Sequence, residues 1–141
     1  MATSYGTIYN RALSKLEDYD LAQLPEEDLE RMLNGWMMSA IAKFRKCQSD
    51  LKQRDEENKT FLVDLLDEEV EILAILTATE WLESQINSIT LTKQFFGGKE
   101  EKWFSQSQHL STLIALRDSN RLEARKLMRD FTYSHNSYLT E

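Results

Sequence analysis

Few side chains in this 141-residue chain belong to types that carry out chemistry, and their spacing decides what that chemistry could be. The candidate metal ligands outside the carboxylates are His109, His135 and the single cysteine, Cys47. A carboxylate-bridged di-iron bundle needs Glu-x-x-His pairs on facing helices, and neither histidine has a glutamate three residues before it. The remaining pair, Glu80-x-x-Glu83, reads as surface charge beside Trp81. One cysteine and two separated histidines do not build a structural zinc site. Cys47 with a histidine could form a nucleophile and base, but it continues an apolar helical stripe one turn after Phe44 and reads as a buried, inert thiol. Gly97-Gly98-Lys99 lacks the second glycine spacing and the Lys-Ser/Thr pair of a phosphate-binding loop. No set of residues specifies a reaction. The chain reads as not an enzyme, with no catalytic, cofactor-binding or metal site.

The elements that would position a binding surface are easier to read. The length fits one domain, able to bury roughly 68 to 70% of the surface its unfolded form would expose. One proline, Pro25, and four glycines leave long helices uninterrupted, so the class is mainly α. A lone cysteine excludes an intrachain disulfide, and the N-terminus lacks the basic charge and apolar core of a signal peptide. No apolar run approaches the ~18 residues of a membrane span. The expectation is a soluble protein made in the cytoplasm.

A net charge of −7 argues against a nucleic-acid reader, whose affinity would come from Lys and Arg releasing phosphate counterions. The charge is uneven. Acidic blocks lie at Glu17 to Glu30 and Asp64 to Glu71, while Lys43, Arg45, Lys46, Lys52 and Arg54 cluster with only Asp50 opposing them. Such faces are either simply solvated or paired between neighbouring copies.

Tyr5, Ile8, Tyr9, Ala12, Leu13 and Leu16 recur at helical spacing and predict a first helix over about Ser4 to Glu17. Leu24-Pro25-Glu26-Glu27 starts the second, with proline tolerated in the first turn and acids facing the positive end of the helix dipole. Its stripe is Leu29, Met32, Leu33, Trp36, Met37, Ala40, Ile41, Phe44 and Cys47, and Gly35 within it is expected to permit a close neighbour. Residues 48–60 are polar and read as a long exposed loop or a frayed helix extension. Phe61, Val63 and Leu65 then alternate with the period of a short strand, which must pair with a distant segment of this chain or with another subunit. A third helix starts at Asp67 as its cap. It is apolar on two stripes, one through Val70, Leu73, Ala74, Thr77 and Trp81 and one through Ile72, Thr79, Leu82 and Ile86, so it should be central.

Residues 88–92 either extend that helix or turn to β structure. Gly97-Gly98 is the next break. A last helical region runs from about Lys99 or Ser105 to Phe131, burying Leu110, Leu113, Ile114, Leu116, Ala124, Leu127, Met128 and Phe131. Asp118-Ser119-Asn120 could divide it in two, as Asn120 with Glu123 resembles a cap. The single domain is expected over residues 1–132, followed by a flexible tail over 133–141 that carries Tyr133 and Tyr138. Phe95, Phe96, Trp103 and Phe104 crowd the glycine break, as a second small core or as a docking surface. The whole is a small helical bundle with a central buried helix, a long loop and one short β segment.

Several of these stretches resemble the small helical head-tail connector proteins of tailed bacteriophages of Gram-positive bacteria, also called adaptor, neck or head completion proteins. The resemblance rests on Tyr5-Gly6-Thr7-Ile8-Tyr9, on Asp18-Tyr19-Asp20-Leu21-Ala22-Gln23-Leu24 and on Ile41 to Cys47. It rests above all on Phe61-Leu62-Val63-Asp64-Leu65 leading into Glu69 to Ala74 and Glu80-Trp81-Leu82. It implies a virion neck protein, a closed ring of about twelve identical subunits docked beneath the portal protein and carrying the downstream neck or tail protein. It also implies a channel through which genomic DNA passes without specific binding, where carboxylates would repel the phosphate backbone. Residues 48–65 would reach neighbouring subunits, the strand by augmentation. On this reading the partner-contact candidates are Lys43, Arg45, Lys46, Lys52, Arg54, Phe61, Val63, Leu65, Phe95, Phe96, Trp103, Phe104, Tyr133 and Tyr138. The alternative is a soluble helical regulatory or binding module encoded by a phage and acting as monomer or dimer.

Overall fold

Tyr5, Ile8, Tyr9 and Ala12 bury one face of the first helix, α1 (Tyr5–Ser14). Its N-cap is Ser4, whose side-chain oxygen accepts from the Gly6 amide at 3.2 Å. The protein is described by a computed structural model in which residues 2–15, 25–44, 49–96 and 100–135 are described, with the side chains of 89–108, 134 and 135 outside the description. In chain order the elements are β1 (Thr3–Ser4), α1, α2 (Glu26–Lys43), β2 (Arg54–Asp55), β3 (Thr60–Phe61), α3 (Asp67–Phe96) and α4 (Glu100–His135).

The second helix begins as its sequence dictates. Pro25 is the N-cap, and Glu26, Glu27 and Asp28 fill the first turn. Leu33, Met37 and Ala40 are buried along it, and Phe44 closes it. Met32, expected on that stripe, is 37% exposed. Gly35 also departs from expectation. It lies on the outer face with Arg31, Ser39 and Ala42, and a Cβ built there would meet nothing within 4 Å among the described residues, so none of these requires the glycine.

The central helix is α3. From Val70 to Leu82 every residue except Glu71 and Glu80 is buried, as a helix packed on more than one side requires. Buried Thr77 and Thr79 satisfy their hydroxyls by donating to the carbonyls of Leu73 and Ile75, each at 2.7 Å. Residues 88–92 continue this helix to Phe96. α4 runs antiparallel to it: Ile72 lies by Leu127 and Phe131, Glu83 by Arg117 and Arg121, and Ile86 by Leu113. It is one helix, with no break at residues 118–120. Asp118 pairs with Arg117 instead of capping a new start. α4 reaches His135, so Tyr133 belongs to it; the rest of the expected tail, 136–141, lies outside the described residues. Leu116 points outward at 43% exposure, not into the core.

Residues 48–65 differ most from the sequence reading. Within them β2 and β3 form a hairpin, and β1 pairs with the other side of β3, giving the antiparallel order β1-β3-β2. Thr3 stands opposite Phe61, which stands opposite Arg54. The strand thus finds both partners inside its own chain, and the expectation that it augments a neighbour's sheet is corrected. The hairpin turn is set by Asp55, whose carboxylate accepts from the amides of Glu57 and Asn58, each at 3.1 Å. Lys59 closes it at φ 54°, and its carbonyl accepts from the Tyr5 amide at 3.0 Å.

The main core gathers Tyr5, Ile8, Leu33, Met37, Phe61, Leu73 and Phe131. Phe61 is fully buried against Tyr5 with ring centroids 4.9 Å apart, and Phe44 meets Phe131 edge-on at 6.3 Å. A second cluster of Ala78, Trp81, Leu82, Ile86 and Leu113 lies farther along α3, and Leu13, Leu29 and Trp36 pack against both.

Candidate functional site

The one fully buried carboxylate among the described residues is Glu69, in the first turn of α3. Leu66 is the N-cap here, since its carbonyl accepts from the Val70 amide at 3.0 Å. Glu69 is therefore the third helical residue, and its Oε1 accepts from the Leu66 amide at 2.9 Å, half of a capping box. The same carboxylate accepts from the Ser49 hydroxyl at 2.7 Å and the Ser49 amide at 3.0 Å. It ties the start of the central helix to the segment before the hairpin. Asp67, expected as the cap, stands one position too late.

Partly buried acids elsewhere act likewise as ties between elements. Glu80 pairs with Lys43 of α2, while Glu83 pairs with Arg117 and Arg121 of α4. The Glu80-x-x-Glu83 pair thus faces two different helices and does not converge on a common point. No group of three or more His, Cys, Asp or Glu residues that could hold a metal ion occurs among the described residues. The Tyr9 hydroxyl donates to Asn34 Oδ1 at 3.2 Å. Burial pushes the Tyr9 phenol above its ordinary range, with Tyr5 and Glu30 adding to the shift. Tyr5 is raised by burial too, with Arg54 opposing. Both phenols are held neutral, as packing groups are.

A groove of about 410 Å³ opens where the end of α1, the start of α3 and the last turns of α4 meet. Ile72, Leu127 and Phe131 supply its apolar side. Asp67, Glu68, Glu71 and Asp130 ring it, against a single cation among the described residues, Arg11. Arg11 and Lys15 both reach Glu71, at 3.6 and 2.5 Å, and Arg11 also donates to the Asp67 carbonyl at 3.4 Å. Counting Arg11 and Lys15 at Glu71 and Arg129 at Asp130 against the four carboxylates leaves one negative charge around an apolar recess. Such a recess suits a cationic group with an apolar stem.

The partner-contact candidates separate. Phe61 and Leu65 are core residues, at 0% and 8% exposure, and cannot contact a partner without unfolding; this corrects their reading as contacts. Val63 is half-buried against the same core. Lys43 is engaged with Glu80, and Arg54 donates to the Leu51 carbonyl at 2.9 Å and pairs with Glu56. Lys52 is exposed, and Tyr133 is 62% exposed. Phe95 and Phe96 end α3 and Trp103 and Phe104 lie early in α4, with side chains outside the described residues. Arg45, Lys46, Cys47, Tyr138 and the glycine break also lie outside them.

Sequence reasoning passed over the groove and Glu69. The Leu66-x-x-Glu69 spacing could have revealed the capping carboxylate, but nothing in a linear pattern brings Arg11, Glu71 and Asp130 together. No helix among the described residues is long and apolar enough to cross a membrane. Comparisons of this chain with family models, with curated proteins and with solved structures found no match in any of the three.

Proposed function

We propose that this chain is a structural assembly protein, a ring-forming connector at the neck of a tailed phage of a Gram-positive host, joining portal to tail around the DNA channel. The observation that carries the reading is where the residues of the resemblance lie. Phe61, Leu65, Ile72, Leu73, Ala74, Trp81 and Leu82 are buried together around one helix, so the shared pattern falls on the part of the chain that determines its architecture. Described carboxylates such as Glu69, Glu80 and Glu83 are spent on holding elements in place, which suits a scaffold better than a catalyst. The net charge of −7 suits a channel past which DNA must slide without sticking.

A second reading, a soluble helical binding module acting alone or as a dimer, is favoured by the sheet. With β3 paired on both sides inside the chain, that strand does not need a neighbour to satisfy its backbone. Native mass spectrometry of the purified chain, alone and mixed with a portal ring, separates the two. The connector reading expects a high cyclic oligomer, or a monomer that assembles only on the portal. A stable dimer indifferent to the portal contradicts it.

A further inference from the structure

We propose that the acid-rimmed groove receives the outer face of α4 from a second copy of this chain. On α4, Leu122, Lys126, Arg129 and Tyr133 follow one another at steps of four, three and four, which places them on one stripe, with Arg125 at its edge. All five are exposed, Leu122 at 53% and Tyr133 at 62%. Two large apolar or aromatic side chains thus stand among three cations on a face that no other described element covers.

The groove is the complement in both respects. It offers an apolar recess at Ile72, Leu127 and Phe131 for Leu122 or Tyr133, and carboxylates at Glu68 and Asp130 for Arg125 and Lys126. Arg129 also pairs loosely with Asp130 of its own chain at 3.7 Å, an exposed contact that a better partner can displace. Leu127 and Phe131 lie roughly 140 to 180° around α4 from Leu122, so the apolar side of the groove and the stripe face different ways and one subunit can offer both, with Asp130, roughly 80° around, at the border between them. A contact between unlike patches propagates from copy to copy, closing into a ring where the rotation allows it, or forming a two-fold pair if each stripe enters the other's groove. The ring outcome rests on the connector reading; the contact does not.

Charge reversal on each side tests it. One variant carries Arg125→Glu with Lys126→Glu, and the other Glu68→Lys with Asp130→Lys, all at exposed positions so that both fold, as circular dichroism checks. Native mass spectrometry at low ionic strength should show each variant's self-association weakened by about tenfold or more relative to the parent chain. An equimolar mixture should restore it, because the reversed stripe meets the reversed groove and the two unaltered patches meet each other. Rescue as a dimer supports the contact and contradicts the ring. Folded variants that assemble as the parent does, or a mixture that is not rescued, overturn the contact while leaving the ring reading standing. A parent chain monomeric at every concentration overturns the contact as well.

Discussion

The Glu69 carboxylate sits 2.7 Å from the Ser49 hydroxyl, joining residues twenty positions apart at the start of the central helix. Glu69→Ala leaves the Leu66 and Ser49 amides without this acceptor, and a charge-assisted bond of this kind contributes about 1.5 to 3 kcal/mol. We expect a loss of roughly 3 kcal/mol by chemical denaturation, and about 1 kcal/mol for Ser49→Ala, which removes only the hydroxyl. A Glu69→Ala chain as stable as its parent would show that the tie is not made.

Gly35 offers the opposite sign. It lies mid-helix with no described residue near its missing Cβ, so alanine costs nothing in packing against them and restricts the unfolded chain. Gly35→Ala should stabilise by about 0.5 to 1 kcal/mol, read as a higher melting temperature. A lower melting temperature would mean that this face is covered in the folded protein.

Trp81 is 7% exposed within the second cluster, and its indole N–H has no hydrogen-bond partner among the described residues. Trp81→Ala should cost roughly 3 to 5 kcal/mol through lost burial and a cavity. Trp81→Phe should cost clearly less, because it keeps an aromatic ring and removes the unpaired donor. Equal losses in the two variants would place the cost elsewhere than in the cavity.

The Asp55 carboxyl is held below its ordinary range, first by the backbone amide of Asn58 and then by the Asn58 side-chain amide. A depressed folded value means that the turn is supported at pH above the unfolded value of about 3.9 and loses that support as pH falls through the folded one. Carbon-detected NMR titration should give Asp55 a midpoint below 3.9, with the Glu57 and Asn58 amides losing protection at the same step. A midpoint at or above 3.9 would contradict the turn geometry.

The helices were legible in the sequence, while of the sheet only a strand at Phe61 was, for a physical reason. α2 and α3 are long enough for the 3.6-residue period to repeat many times, and Pro25 and Glu26 mark a start that needs no tertiary context. The strands are two residues each, too short for a period of two to specify, and β1 lies where Ser4 serves equally as a helix cap. Asp118-Ser119-Asn120 looked like a boundary, but three poor helix formers without Gly or Pro cost little in a helix anchored by Leu113, Ala124 and Phe131. Which face of a helix meets solvent is decided by its neighbours, and so Gly35 and Leu116 were misjudged. The groove depends on three helices meeting, which no pattern along the chain records.

Electron microscopy of the chain mixed with a portal ring from a phage of a Gram-positive host tests the connector reading most directly. The account expects extra density at one end of the portal, cyclically symmetric and coaxial with it, around an open channel. Portal rings unchanged beside free monomers or dimers of this chain would contradict it.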